Sequence, residues 1–496
     1  MRTRVKKKFL NFMTPSILAL ILTISIVGPL LFNNYPNGYA DNGDFWRVIY
    51  QNGLYPSLKD NSDTYKFVVQ HYNIMQYYNE HPTIIHSSQN LFVQIAIWIN
   101  KIFYSKTIFD IRFMGLVYFI PFCGAIYFLT EALTLGKKNF TNYGISILIV
   151  FVFADSSFTL YMNSLFAEAG GYILLIIAVA MLLLYSRQRY QKRWPLLLIY
   201  FICTILFVFN KQQNAPLALS LVFISVSILL TQRLKNHRIY IISGILTILT
   251  MGVITFLLIP KEFNDINMYQ SFSNGVVLYT DSDPSKQIEK EGINGQFGLT
   301  RGSAYNPKNY ADINPPAEYT QQHLTKKIKT TWLIKYYLKH LNQFNRLLDL
   351  AAQDLMITQP QAVGDYTRQS GAKPYAQIKF FTGFSTLMKA IFPQKFTFLI
   401  LLTFTLAFIN SVAMYDDFKN KNSQNPGTIR WFMIMGLMSM AIGIPIISVI
   451  GDGDADLAKH LFYAPVAINL ILVIMIADIL NHQLWHFNQQ REENYV

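Results

Sequence analysis

Charge is scarce in this sequence. Only 14% of its 496 residues are Asp, Glu, Lys or Arg, where a soluble chain carries nearer about a quarter. Cysteine is scarcer still: Cys123 and Cys203 sit in different apolar stretches, which argues against a disulfide framework or a cysteine metal site. Several signatures of familiar catalysis are missing too. There is no P-loop, no dinucleotide-binding glycine fingerprint, no H-E-x-x-H, no G-x-S-x-G and no protein-kinase set. The stretch "GDGDADLAKHLFY" opens like a calcium loop at Asp452, Asp454 and Asp456, and then fails. Leu457 stands where that loop needs glycine, and Tyr463 where it needs glutamate.

What fills the sequence instead is apolar: 52% of the residues, with a mean hydropathy of +0.25. Repeated apolar runs of about twenty residues, each able to cross a bilayer core of about 30 Å as a helix, define an all-α polytopic membrane protein. Ten spans are expected, at 13–33, 110–134, 141–155, 169–186, 194–209, 215–231, 239–259, 395–414, 431–450 and 461–480. The third is short, and 141–168 reads equally well as one bent segment. The basic start followed by "SILALILTISIVGPLLF" imitates a signal peptide, but the run is long and no A-x-A-like cleavage site follows it. It reads as a retained first span.

The net charge of +14 does not point to nucleic acid. Basic clusters such as "MRTRVKKK", "GKK", "RQRYQKR", "QRLKNHR" and "KNKNSQNPGTIR" all fall on one side when the spans alternate, and lysine and arginine mark the cytoplasmic side. Both termini are then cytoplasmic. The opposite face collects a long first loop (34–109), a short loop (156–168), "NKQQNAP" (210–216), a large segment (260–394) and the aspartate-rich knot. The chain divides into a transmembrane module (1–259) carrying that first loop, the outer segment 260–394, and a second transmembrane module (395–496). Stretches 87–106 and 330–355 carry helical periodicity; the first reads as an interfacial helix and the second as an interfacial or buried one, whereas 265–320 reads as irregular loop.

Four polar constellations share that outer face. "YADNGDFWRVI" sets Asp41 and Asp44 three apart beside Trp46 and Arg47, and a carboxylate there can take a proton from a hydroxyl. "YMNSLFAEAGGY" places Glu168 at the start of a span, where the helix dipole alone already favours an acid. "FNKQQNAP" presents Lys211 with Gln212 and Gln213, natural partners for a lipid phosphate, and Arg301 in "GLTRGSAY" is a weaker candidate of the same kind. In the knot, Lys459 and His460 follow Asp456 by about one helical turn.

In layout, nearly the whole chain resembles the GT-C superfamily of integral-membrane glycosyltransferases. More narrowly it resembles bacterial hexose transferases of S-layer and cell-surface polysaccharide clusters. The residues carrying the likeness are "ADNGDFWRVI", "YMNSLFAEAG", "KQQN" and "GDGDADLAKHLF". The resemblance implies a polyprenyl-phosphate hexose donor in the bacterial cytoplasmic membrane, an extracytoplasmic glycan acceptor, and inverting transfer. It makes Asp41 or Asp44 the general base, and Glu168 a second acid that orients the acceptor or helps hold a divalent metal such as Mg or Mn. Lys211, Lys459 and His460, with Arg301, would neutralise the donor phosphate. Arg47, Gln212, Asp452, Asp454 and Asp456 would meet sugar or acceptor hydroxyls. The Asp-x-x-Asp pair departs from the adjacent acidic pair of protein mannosyltransferases, which argues against a protein acceptor. A lipid-linked sugar transporter, or a polysaccharide polymerase or ligase, is the alternative.

Overall fold

The computed structural model describes residues 13–56, 63–81, 83–231, 238–280, 283–305, 313–420 and 425–485. The basic stretches 1–8 and 232–237 lie outside the described residues. The long apolar helices are α1 (Pro15–Phe32), α2 (Arg112–Thr134), α3 (Phe140–Phe153), α4 (Glu168–Ser186), α5 (Trp194–Val208), α6 (Ala218–Leu229, entered through a 3-10 turn over Gln212–Leu217), α7 (Arg238–Leu257), α8 (Phe396–Lys419), α9 (Pro426–Asp452) and α10 (Tyr463–Leu480). Eight of them, counting α6 with its entry turn, are long and apolar enough to cross a membrane. The bent pair α3 with Ser156–Asn163, kinked by 52°, makes a ninth if taken as one span, and α5 is shorter. The bend suits its sequence: the first helix closes at Ala154, and Asp155 caps the next, accepting from Ser157 N at 2.9 Å.

The core is built around α4. This helix is apolar on every side and almost wholly buried, packed between α2 and α5 with α10 close by. The second half of the chain stacks α9 against α8, α6 and α10. At Gly171 an added Cβ would collide with the Tyr463 hydroxyl, so α4 and α10 meet there only because the residue is glycine. By contrast α7 and α8 bury few residues and turn Leu246, Val253, Leu401 and Phe404 outward, as lipid-facing helices do.

Ion pairs separate the two ends of the bundle. At one end Asp478 joins Arg187 and Arg430, and Glu131 takes Arg189 at 2.6 Å and the Ser16 hydroxyl at 2.6 Å. A second group of ion pairs, Asp44 with Lys459 and Glu168 with Lys211, forms where the loops around these residues meet.

The first loop holds more order than its sequence suggests. A small antiparallel sheet of β1 (Leu54–Pro56), β2 (His71–Ile74) and β3 (Ile108–Asp110) runs in the order β1-β2-β3, with Tyr72 opposite Phe109. The expected interfacial helix spans Ser88–Phe103 and packs on α2. Asn100, which interrupts its apolar face, is buried: its amide donates to Ser105 O and Ile108 O and accepts from Asp110 N, fixing the turn into β3. The helical stretch 330–355 is two helices, Thr330–Lys339 and Leu341–Asp354, because His340 leaves helical geometry at ψ 57. The segment read as irregular holds Lys261–Ser271 and Pro284–Lys290 as helices, and it folds against α9.

α9 stops at Gly453, whose φ of 62 and ψ of −128 suit glycine. A Cβ there would come within 2.7 Å of the backbone at Asn274 and Gly275. Gly453→Ala is expected to destabilise the protein by about 2–3 kcal/mol, read as a lowered thermal midpoint in detergent. An unchanged midpoint would contradict the close docking of the knot on residues 274–275.

Candidate functional site

Asp41 follows an extended chain and turns back on its own loop. Its Oδ1 accepts from Gly43 N at 2.7 Å and Phe45 N at 3.0 Å, which starts the short helix Trp46–Ile49. Among the described residues no cation pairs with it. Burial is the main influence on Asp41 and, against those N–H groups, raises its pKa above the ordinary carboxylate value.

Asp44 lives in the opposite environment. Lys459 binds its Oδ2, and Arg47 its Oδ1 at 3.2 Å. Burial pushes Asp44 up, but the two cations outweigh it and hold the carboxyl well below the usual range. Three residues apart in sequence, the two aspartates therefore differ chemically: Asp41 is the stronger base, Asp44 a clamp for cations.

Lys459 stands on the short helix Leu457–His460 with its side chain 11% exposed. Its ammonium lies 4.5 Å above the Phe166 ring. Burial works against the charge, but Asp44, Glu168 and Asp456 more than compensate and raise its pKa above that of free lysine. Lys211 caps the 3-10 turn before α6 and reaches Glu168 Oε1 at 2.9 Å. Glu168, 1% exposed in the first turn of α4, therefore stands behind Lys211 and beside Lys459 as a positioning acid. Arg47 stacks at 4.3 Å on Phe263.

His460 does not fit its expected role as a phosphate-neutralising cation. Burial, then Lys211 and Lys459, drive its pKa well below that of ordinary histidine, so the ring is neutral at pH 7. It faces Gln213 Oε1 at 3.2 Å and Asp452 Oδ2 at 3.5 Å, while Gln213 also donates to Ser448 Oγ at 2.8 Å. The neutral assignment predicts no protonation step of the His460 ring near the ordinary histidine value in 15N NMR. A step there, lost in His460→Gln, would contradict it.

The three knot aspartates divide their work. Asp452 closes α9 and faces His460; Asp454 accepts from the Tyr279 hydroxyl at 2.7 Å; Asp456 accepts from the Asn42 amide at 3.1 Å. Asp454 thereby ties the knot to the 260–394 segment, and Asp456 ties it to the first loop. Arg301 stays outside the cluster: it is exposed, and its guanidinium donates to Leu278 O at 3.2 Å. Two donors inside the cluster, Gln212 Nε2 and Arg47 Nε, are buried with no partner among the described residues.

A divalent metal does not fit these donors. Among the described residues no three His, Cys, Asp or Glu side chains converge, and Asp44 and Glu168 each hold a lysine. Tyr279, Asn42, Phe166 and Phe263 also belong to the site, and no local pattern marks them. Asn42 and Phe166 lie inside the quoted stretches "YADNGDFWRVI" and "YMNSLFAEAGGY", the one signal that could have singled them out.

Fold and site together define a multi-pass helical membrane protein with one charged cluster where its loops meet at one end of the bundle. A family model described as the YfdI N-terminal transmembrane domain matches residues 2–495, so the chain belongs to that family. No curated protein and no solved structure matches it.

Proposed function

We propose that the chain is an integral-membrane glycosyltransferase of GT-C type. It moves a hexose from a polyprenyl-phosphate donor to a glycan on the extracytoplasmic face of a bacterial cytoplasmic membrane, with both termini cytoplasmic. The observation that carries this reading is the pairing of an uncompensated, raised-pKa carboxylate, Asp41, with a cation cluster of Lys211, Lys459 and Arg47 at the end of the helix bundle. Membership of the YfdI transmembrane family is consistent with a membrane glycosyl-modifying role.

In this reading the acceptor hydroxyl gives its proton to Asp41 while its oxygen attacks the anomeric carbon of the donor. The bond from that carbon to the phosphate oxygen breaks, and polyprenyl phosphate leaves with the electron pair. Lys459 and Lys211 neutralise the charge that develops on the leaving phosphate, with Arg47 beside them. Glu168 holds Lys211 in place, and Asp44 holds Lys459 until phosphate arrives. The unpartnered donors on Gln212 and Arg47 offer hydrogen bonds to sugar or phosphate oxygens. A single displacement of this kind inverts the anomeric centre.

Transport is the weaker account. The Asp, Glu, Lys and Arg side chains of the long helices stand in their first or last two turns, whereas transporters gather such groups near the bilayer midplane. Proteoliposomes loaded with radiolabelled polyprenyl-phosphate hexose and offered glycan acceptors test the proposal. It requires label in a water-soluble glycan. Label that crosses the bilayer still attached to its lipid would reject it.

A further inference from the structure

At the loop end of α1 lies a hollow of about 370 Å³ that the charged cluster does not use. Its lining is Asn33, Asn34, Tyr35 and Asn37 on one side, Tyr366 and Ser370 on the other. This lining is unlike the apolar surfaces that face lipid: three carboxamides, two phenols and a hydroxyl. The side chains of Asn33, Asn34, Tyr35 and Tyr366 have no hydrogen-bond partner among the described residues.

The two walls are fixed to each other and to the base. Gly38 N donates to Asp365 O at 3.2 Å and Ala40 N to Gly364 O at 3.0 Å. On the far side of the same strap, Val68 N donates to Tyr366 O at 2.9 Å and Gly364 N to Tyr65 O at 3.0 Å. Asn37 adds a bond from its amide to Asp365 O at 3.3 Å. The chain leaving the hollow at Asn37 reaches Asp41 four residues later, a separation of at most about 14 Å even if fully extended. Whatever lies in the hollow is thus held at a set distance from the proposed base.

We infer that this hollow is a carbohydrate subsite that binds the non-reacting part of an oligosaccharide acceptor. Amides and hydroxyls match the paired donor and acceptor character of sugar hydroxyls, and the Tyr35 and Tyr366 rings offer flat faces to the C–H side of a pyranose. None of the six lining side chains is charged, and the nearby Arg112 and Arg368 are each paired to a carboxylate, Asp110 and Asp63, which suits a neutral glycan better than a phosphate. The inference rests on the glycosyl-transfer reading above, and it adds a length requirement. One sugar cannot fill the hollow and also present a hydroxyl at Asp41 if the two are several ångströms apart, so longer acceptors are preferred.

The test uses the full chain in nanodiscs. The probes are oligosaccharides released by mild acid from the host's own surface polysaccharide and fractionated by length. Binding is read by saturation-transfer NMR without donor, and transfer by acceptor KM and kcat with donor. Tyr35→Ala and Asn34→Ala alter exposed side chains and leave the fold intact, and Tyr366→Phe keeps the ring while removing the hydroxyl. Tyr35→Ala with Asn34→Ala is expected to weaken binding of the longer fractions and raise their KM about tenfold, with kcat and donor hydrolysis unchanged. Tyr366→Phe is expected to lose less than that pair. Equal binding of the long fractions by wild type and the double variant overturns the subsite even where transfer proceeds. Weakened binding together with no transfer by wild type keeps the subsite and rejects the transfer reading.

Discussion

Lys459→Gln is expected to lower kcat for sugar transfer by about 10²- to 10³-fold, the magnitude seen when one preorganised electrostatic donor is removed from a site where charge develops. The reason is its setting. The ammonium is 11% exposed, seated over Phe166, and kept charged by Asp44, Glu168 and Asp456. In the proposed reaction a phosphate entering the cluster would exchange one anionic partner of Lys459, Asp44, for another, so the cation would be in place before the leaving group departs. The glutamine keeps a hydrogen-bond donor, on a shorter stem, and removes the charge. Donor binding is expected to weaken less than kcat falls, because the charge on the phosphate bridge oxygen grows toward the transition state. A variant with full kcat would show that Lys459 is a structural partner of Asp44 and nothing more.

The second large effect separates the two first-loop aspartates. Asp41→Asn is expected to cost about 10²- to 10⁴-fold in kcat, the usual worth of a positioned general base. Asp44→Asn is expected to act mainly on donor KM and on Lys459, with kcat within about tenfold, because its carboxylate is already committed to two cations. The pH profile carries the same distinction with a definite sign. A base works deprotonated, so the rate falls as pH drops through its pKa. Burial raises Asp41, placing the acidic limb of kcat/KM above the ordinary carboxylate value; Asp44, held down by Lys459 and Arg47, would place it below. A limb at very low pH, together with an active Asp41→Asn, would transfer the role of base to Asp44.

The long helices were legible because an apolar run of bilayer length has few other stable outcomes. Threading them also put Asp41, Asp44, Glu168, Lys211, Lys459 and Asp456 at one end, and these residues do share one cluster. Their pairing was not legible. Asp44 and Lys459 are 415 residues apart, and no local rule links them. For the same reason the knot aspartates could not be assigned individually: Asp454 depends on Tyr279, in a segment whose weak periodicity concealed two helices, one of them, Lys261–Ser271, packed on α9. The small sheet was missed because strands of three or four residues, such as "HYNI", are too short to show alternation. His460 misled in another way. Beside Lys459 in sequence it looks like a second cation, but a neighbouring ammonium and burial are what keep an imidazole neutral. Gly453 could be read as a flexible break among aspartates, yet its value is the close approach it permits to Asn274 and Gly275.

The most direct measurement is a single-turnover assay in proteoliposomes with radiolabelled polyprenyl-phosphate hexose and an oligosaccharide acceptor, run side by side on wild type and Asp41→Asn. The account predicts label moving from lipid to glycan with inverted anomeric configuration in wild type, and at least about a hundredfold slower transfer in the variant. Transfer at the wild-type rate by Asp41→Asn, or label that stays on its lipid in both, would contradict it.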